Sequence, residues 1–319
     1  MVKNRFVCNC FTITALAFIS SLSGYSQKNL TEHFIAAWAA PGYANMIHDV
    51  EKATPLGGGG GLIGLGYEFN YGHFILQVGG EFDIKHVQNN LKPFQREINM
   101  YDTEGDEVIF NYQFSQYVEK YNVGYINIPI LLGAQFPSQY YFLVGGKLGI
   151  NVMGYATINS RLKTYGIYPQ FIDDFEGMPD HFYVNEKNLK NSNSVGFNLN
   201  MIASVEFGRN IFPSNRNSRV HYRLGGFVDY GLTNLNSNQI NGNGDIVNLP
   251  VSTDGTKNVL DVQQNSMFTS NLMKDKAINS LLVGVKFTVL FNAGGKSCNC
   301  RPENEPKKQK HKTRCLWCF

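Results

Sequence analysis

Leu281-Leu-Val-Gly-Val-Lys-Phe-Thr-Val-Leu-Phe291 decides the fold. Every second residue (Leu281, Val283, Val285, Phe287, Val289, Phe291) is apolar, and the alternate set is Leu282, Gly284, Lys286, Thr288 and Leu290. Successive side chains of a strand point to opposite faces, so this spacing predicts a strand with one apolar face and one mixed face. Residues 74–86 repeat it, with Phe74, Leu76, Val78, Gly80, Phe82 and Ile84 against Gln77, Gly79, Glu81, Asp83 and Lys85. In 195–207 the apolar face is Val195, Phe197, Leu199, Met201, Ala203, Val205 and Phe207.

Four further segments alternate less cleanly. Ile63, Leu65, Tyr67 and Phe69 oppose Gly64, Gly66 and Glu68; Ile126, Ile128, Ile130 and Leu132 oppose Asn127 and Pro129. Phe142, Val144, Leu148, Ile150 and Val152 oppose Tyr141, Gly145, Lys147, Gly149 and Asn151. Tyr222, Leu224, Val228, Tyr230 and Leu232 oppose Arg223, Gly225, Phe227 and Asp229. An Ala-rich stretch at 33–40 is the weakest strand, and the count of eight depends on it.

The connections carry their own regularity. Those near 70–73, 134–139 and 209–218 are short, and those near 41–56, 88–111, 158–193 and 234–277 are long and polar. Strict alternation of short and long is the pattern of outer-membrane barrels, with short periplasmic turns and long external loops. A soluble β-sandwich has no reason to sort its loops this way. The expected fold is therefore all-β, an eight-stranded antiparallel transmembrane up-and-down β-barrel, with both termini in the periplasm. The last strand ends on aromatic Phe291, as the assembly signal of such barrels does.

The ends of the chain fit export. Lys3 and Arg5 precede an apolar stretch from Phe11 to Leu22, and Gly24-Tyr25-Ser26 offers a small-x-small cleavage site. This reads as a signal peptide over residues 1–26, with the barrel over 27–292 and a basic, Cys-containing periplasmic tail over 293–319. Beyond the signal no run of 18 apolar residues exists, which excludes a helical membrane protein. The composition suits a barrel: Gly 32, Tyr 17 and Phe 23 in 319 residues, with 17% charged. Mean hydropathy is only −0.22, because a barrel carries its lipid face in alternate positions. A net charge of +3 is small and argues for neither a nucleic-acid nor an acidic partner, so no nucleic acid is expected.

A barrel of eight strands has an interior just wide enough for side chains to fill. The inward set is Glu68, Glu81, Asp83, Lys85, Lys147, Glu206, Arg223, Asp229 and Lys286, of both signs. An unpaired buried ion costs several kcal/mol, so these groups should pair. A closed, salt-bridged lumen and a narrow polar channel are the two readings.

Tyr125-Ile-Asn-Ile-Pro-Ile-Leu-Leu-Gly133 resembles the Y-x-x-I-P-L-L-L strand of the PorT-like outer-membrane β-barrel family of Bacteroidota. Phe142-Leu-Val-Gly-Gly-Lys-Leu-Gly149 is similar to that family's next hairpin, and Gly225-Gly-Phe-Val-Asp-Tyr-Gly-Leu232 to its later G-x-x-x-x-Y-x-x-G-L strand. The resemblance covers about residues 30–292. It implies an outer-membrane barrel, some of whose relatives are associated with protein secretion and gliding machinery. The long second and fourth external loops and the tail depart from the family's simplest pattern.

No catalytic, cofactor-binding or metal-binding residue is assigned, and the chain is not read as an enzyme. Gly59-Gly-Gly-Leu-Ile-Gly64 matches G-x-G-x-x-G, but a dinucleotide site needs a strand before the glycines and a helix after them. Here a loop is expected before and a strand after, so the glycines read as backbone bending at a barrel rim. His48-Asp49 and Asp180-His181 fall on external loops without a Ser partner, and a hydrolytic site needs all three groups together. Asp173, Asp174, Glu176 and Asp180 make the third long loop acidic but lack Ca²⁺-loop spacing. The aromatics Tyr165, Tyr168, Phe171, Phe175, Phe182 and Tyr183 either pack that loop or anchor a partner.

Cys298-Asn-Cys300 and Cys315-Leu-Trp-Cys318 frame a basic run. A disulfide, a zinc site and a disordered tail with incidental cysteines all stay open. The expected partners are outer-membrane lipid and envelope proteins reached through the external loops. The expected role is structural or accessory in the envelope, linked through the resemblance to secretion or gliding; the alternative is a small porin-like transport barrel.

Overall fold

Ala36, Trp38 and Ala40 alternate with Ile35, Ala37 and Ala39, and this alternation starts the first strand, β1 (Thr31–His48). In the computed structural model, which describes residues 31–101, 105–170, 182, 184–211, 219–236, 244–249 and 261–293, eleven more strands follow. They are β2 (Ala53–Tyr71), β3 (Phe74–Leu91), β4 (Phe94–Tyr101), β5 (Glu107–Gln135), β6 (Tyr140–Ile167), β7 (Val184–Ser194), β8 (Asn200–Ile211), β9 (Val220–Gly231), β10 (Val247–Asn248), β11 (Gln263–Gln264) and β12 (Ile278–Asn292).

Eight of them pair antiparallel in a closed cycle, β1–β2–β3–β5–β6–β8–β9–β12 and back to β1. The closing seam runs from Phe34↔Asn292 to His48↔Ile278. Closure leaves the ring no free strand edge. The doubtful first strand is thus among the longest, and the count of eight for the ring stands.

The connections differ from expectation at several places. β1 and β2 run on to His48 and from Ala53, so the first long loop shrinks to residues 49–52. Pro41 and Gly42 read as a strand end, yet β1 passes through them. The missing Pro41 N–H only opens a gap in the seam between Ala39↔Phe287 and Gly42↔Gly284, without shifting register. The other three long connections stand at the same end; much of the second and third is strand, and the described part of the fourth holds only the two-residue strands β10 and β11 and two 3-10 turns. β5 and β6 pair from Gln135↔Tyr141 out to Ile109↔Ile167, far past the ring. β4 flanks β5 and β7 flanks β6 on that extension, so β4-β5-β6-β7 make a sheet rising from one rim. At the opposite rim the β2–β3 turn is only Gly72-His73, with Gly72 at φ +61, as two-residue hairpins favour.

The polarity of the ring is inverted. Ile63 and Leu65 are 62% and 66% exposed, and Ile126, Ile128, Ile130, Met201, Phe207, Val285 and Phe287 also face outward. Glu68, Asp83 and Arg223 are at most 1% exposed in the interior. Soluble monomers rarely expose contiguous apolar surface beyond a few hundred Å². Among the described residues no helix is long and apolar enough to cross a membrane, which says nothing about crossing with strands.

Two local readings are corrected. Val195 is buried and Phe197 half-buried, so neither shares the outward face of Leu199, Met201, Val205 and Phe207. The period-two phase slips before β8 begins at Asn200, where Val195 N–H bonds to the Gly154 carbonyl and Phe197 bridges to Asn236 instead. The glycine run 57–61 is strand on both sides rather than a loop leading into a strand. Only at Gly57, φ +68 beside a bulge, does the backbone itself call for glycine.

Gly64 serves packing. A Cβ there would lie 2.4 Å from Cε2 of the Trp38 indole, which fills the ring at this level. Gly64→Val should therefore lower stability by about 1–3 kcal/mol through overpacking. Gly80→Val, at an outward site with nothing within 4 Å, should leave it nearly unchanged. Urea midpoints of the folded protein, followed by tryptophan fluorescence, check the pair.

Candidate functional site

All nine ionisable residues expected inside the ring are buried there, and each belongs to an ion pair. Alternation places them: each occupies an inward position flanked by outward apolar residues or glycine, except that Lys85 has His86 on one side. Near the short-turn rim, Arg223 of β9 donates both terminal nitrogens to Glu68 of β2, at 2.7 and 2.9 Å, and its Nε to Asn210 Oδ1 at 2.9 Å. Its guanidinium lies 4.3 Å from the ring centroid of Tyr141, whose hydroxyl donates to Glu206 at 2.6 Å.

The chain of contacts continues upward. Lys286 Nζ reaches the other oxygen of Glu206 at 2.7 Å and sits 4.9 Å from the Trp38 ring. The Trp38 indole N–H donates to Glu81 at 3.2 Å. Lys147 bridges Glu81 and Asp229, at 2.7 Å to each. Ser204 donates to the second oxygen of Asp229 at 2.6 Å. Asn127 Nδ2 donates to Asp83 at 2.8 Å, and Lys85 pairs with Asp83 at 2.8 Å beneath the Tyr125 ring. All eight ring strands contribute, so the network ties the wall together across the lumen.

The far mouth is covered from above. Two 3-10 turns, Met267–Thr269 and Asn271–Met273, carry Met267, Phe268 and Met273 into the buried core. Phe268 lies 4.4 Å from the Tyr121 ring and also contacts Phe197 and His48. Tyr117 donates to the Asn265 carbonyl at 2.8 Å, and Asn191 and Asn193 of β7 donate to the Gln264 carbonyl at 2.7 and 3.0 Å. Asn236 holds the far end of this segment through the Met273 and Lys276 carbonyls.

Beneath the turns stands a residue that the sequence reading missed. Glu119 of β5 is fully buried and accepts the Met267 N–H at 2.8 Å, with further bonds from Tyr121 and Ser266. Burial pushes its carboxyl up to about 8, although the bonds from Met267 and Ser266 pull the other way. The signal was present: Tyr117, Glu119, Tyr121, Val123 and Tyr125 alternate with Val118, Lys120 and Asn122. Ending the second loop at 111 and starting the strand's pattern at Ile126 passed over it.

The remaining candidates separate. The His48 ring packs edge-on to Phe268, and burial lowers its pKa. Tyr165 lies on β6 and accepts from Gln113 at 3.1 Å, and Phe182 packs against Phe110 and Tyr112. Residues 1–26, Phe171, Asp173, Asp174, Phe175, Glu176, Asp180, His181, Tyr183 and the four tail cysteines lie outside the described residues. Among the described residues no group of three or more His, Cys, Asp or Glu could hold a metal ion.

No family model and no curated protein matches the chain. Among solved structures it is similar to Ail, the attachment invasion locus protein of Yersinia pestis, at 9% identity and a TM-score of 0.26. The complex of Ail with the heparin analogue sucrose octasulfate gives 8% and 0.24. Each likeness covers 81% of this chain and 99% of the other.

Proposed function

We propose that this chain is an outer-membrane β-barrel with a closed lumen, an accessory protein of the envelope that presents the β4–β7 sheet to partners outside the cell. The observation that carries the reading is the inverted ring: a closed set of eight strands, apolar outside and ion-paired inside. Water would penalise that outer face, whereas hydrocarbon accepts it; a spanning barrel strand needs about 9–11 residues. The outward side of β12 supplies apolar residues from Leu281 to Phe291, and that of β6 from Phe142 to Val152.

Aromatics mark both edges of this band. Tyr71, Phe74, Tyr140, Phe207, Tyr222 and Phe291 are exposed toward the short-turn rim, and Tyr43, Tyr155 and Tyr230 toward the other. Barrels carry such girdles at the two interfaces. The charge network and the covered mouth support a plugged lumen over a porin-like one. The resemblance to PorT-like barrels supports an accessory role in secretion or gliding.

One preparation tests the proposal. The protein should stay with the outer-membrane fraction after carbonate and urea washes, and the purified barrel should give no steady conductance in planar bilayers. Release by urea overturns the membrane reading, and a stable open channel overturns the plugged lumen in favour of a small transport barrel. Secretion or gliding proteins retained on the tagged barrel support the accessory role; a preparation free of them counts against it.

A further inference from the structure

The carboxylates inside the ring and the one beneath its cover are treated differently by the fold. Glu68, Glu81, Asp83, Glu206 and Asp229 each face a cation within 2.9 Å. Glu119, equally buried, has no cationic partner among the described residues, and the groups on it are neutral donors. Two of the three, the Met267 N–H and the Ser266 hydroxyl, belong to the segment over the mouth. Ser266 also bonds to the Tyr121 hydroxyl at 2.8 Å, so the contact joins wall and cover through one carboxyl. Glu119 stands above the apolar band: the outward residues of β5 at its level are Gln116, Val118, Lys120 and Asn122, of which only Val118 is apolar.

We propose that Glu119 is a proton-linked latch: protonated, it holds residues 261–276 closed over the mouth, and its ionisation loosens them. The inference needs only the ring and its cover, and does not depend on which membrane surrounds them.

The sign follows from burial. With the segment closed, burial pushes the carboxyl up to about 8; with the segment lifted, water reaches it and it returns toward its ordinary value of 4.5. Closing therefore takes up a proton between these values. Closure is complete in its stability below about pH 4.5 and weakens as pH rises, by up to tenfold in the opening constant per unit, levelling off above about 8.

The surroundings keep this titration distinct. β5 presents Tyr117 and Tyr121, and burial holds Tyr117 well above the tyrosine range. β3 places Asn89 beside Glu119 in register, and β6 places Ile158. Across Phe268, β1 presents His48, whose burial lowers its pKa and moves its titration to the acid side. On the cover itself Asp261, Lys274 and Asp275 are exposed, Lys276 is half-buried, and Asp245 pairs with Arg96 at the surface.

Amide hydrogen exchange of the full-length protein in nanodiscs tests the latch, with protection factors corrected for intrinsic rate from about pH 5.5 to 9. Protection of residues 265–270 should fall by a factor approaching ten per pH unit and flatten above about 8, while β12 amides hold constant. Glu119→Gln, which keeps the shape of the protonated acid, should give a flat profile, and His48→Gln should keep the slope. A flat wild-type profile, or the same slope in Glu119→Gln, overturns the latch. In the unmodified protein the Met267 methyl carbon resonance, assigned through Met267→Leu, should move with one midpoint near 8; a midpoint below 6 overturns it as well.

Discussion

Replacing Lys147 with methionine is expected to destabilise the eight-stranded ring by about 3–5 kcal/mol, the cost of breaking a buried pair by removing one partner. The ammonium lies 2.7 Å from both Glu81 and Asp229, so its loss strands two carboxylates at once. Neither has another cation within pairing distance among the described residues. Trp38 and Asn127 still donate to Glu81 and Ser204 to Asp229, which softens the loss without neutralising charge. Methionine matches the stem of lysine in length and polarity, so the cavity contribution stays small. The triple variant Lys147→Met with Glu81→Gln and Asp229→Asn should recover most of the loss, since replacing a whole buried ionic group is often near neutral. Urea-dependent folding into detergent or vesicles measures both. A single variant as stable as the parent would mean that water reaches these groups, which is the open-channel reading by another route.

Most of the ring was legible because period-two patterning and the outward exposure of apolar residues report the same variable. On the first half of β3, on β9 and on β12, the outward residues other than Gly80, Gly226 and Asn279 are ones whose transfer to water is costly, so the pattern of the sequence is the pattern of the wall. The nine inward charges were legible for the same reason: a charge between two apolar neighbours on a strand faces the other way.

Legibility failed where that coupling stops. Beyond the apolar band both faces of β5, β6 and β7 meet protein or water, so residues such as Asn111, Lys187 and Asn191 carry no facing signal and read as loop. At residues 195–199 the chain makes a bridge in place of ladder bonds, and the phase slips unseen. β1 was obscured from the opposite side. Its inward residues Ala36 and Ala40 are small because Trp38 fills the lumen, and its glycine-rich partner β2 clears space for that indole. The pairings themselves, such as Lys147 with both Glu81 and Asp229, depend on which strands face each other across the lumen. Nothing local in the chain encodes that.

Arg223 gives the second large effect, and it separates charge from geometry. The guanidinium forms two parallel bonds to Glu68, a third to Asn210, and stacks on Tyr141. Both members of the pair are at most 1% exposed, so solvent screening does little for either. Arg223→Met should cost about 3–5 kcal/mol by leaving Glu68 buried without its cation. Arg223→Lys keeps the charge but offers a compact ammonium in place of a planar fork, so it cannot keep both Glu68 bonds, the Asn210 bond and the stacking together. It should therefore fall between parent and Arg223→Met. The double variant Arg223→Met with Glu68→Gln should be more stable than Arg223→Met alone, giving a coupling of about 1–3 kcal/mol in a double-mutant cycle. Additive losses would mean that the two side chains are independent in the folded ring. In that case the network is a set of separately hydrated ions, and the tie across the lumen from β2 to β9 does not exist.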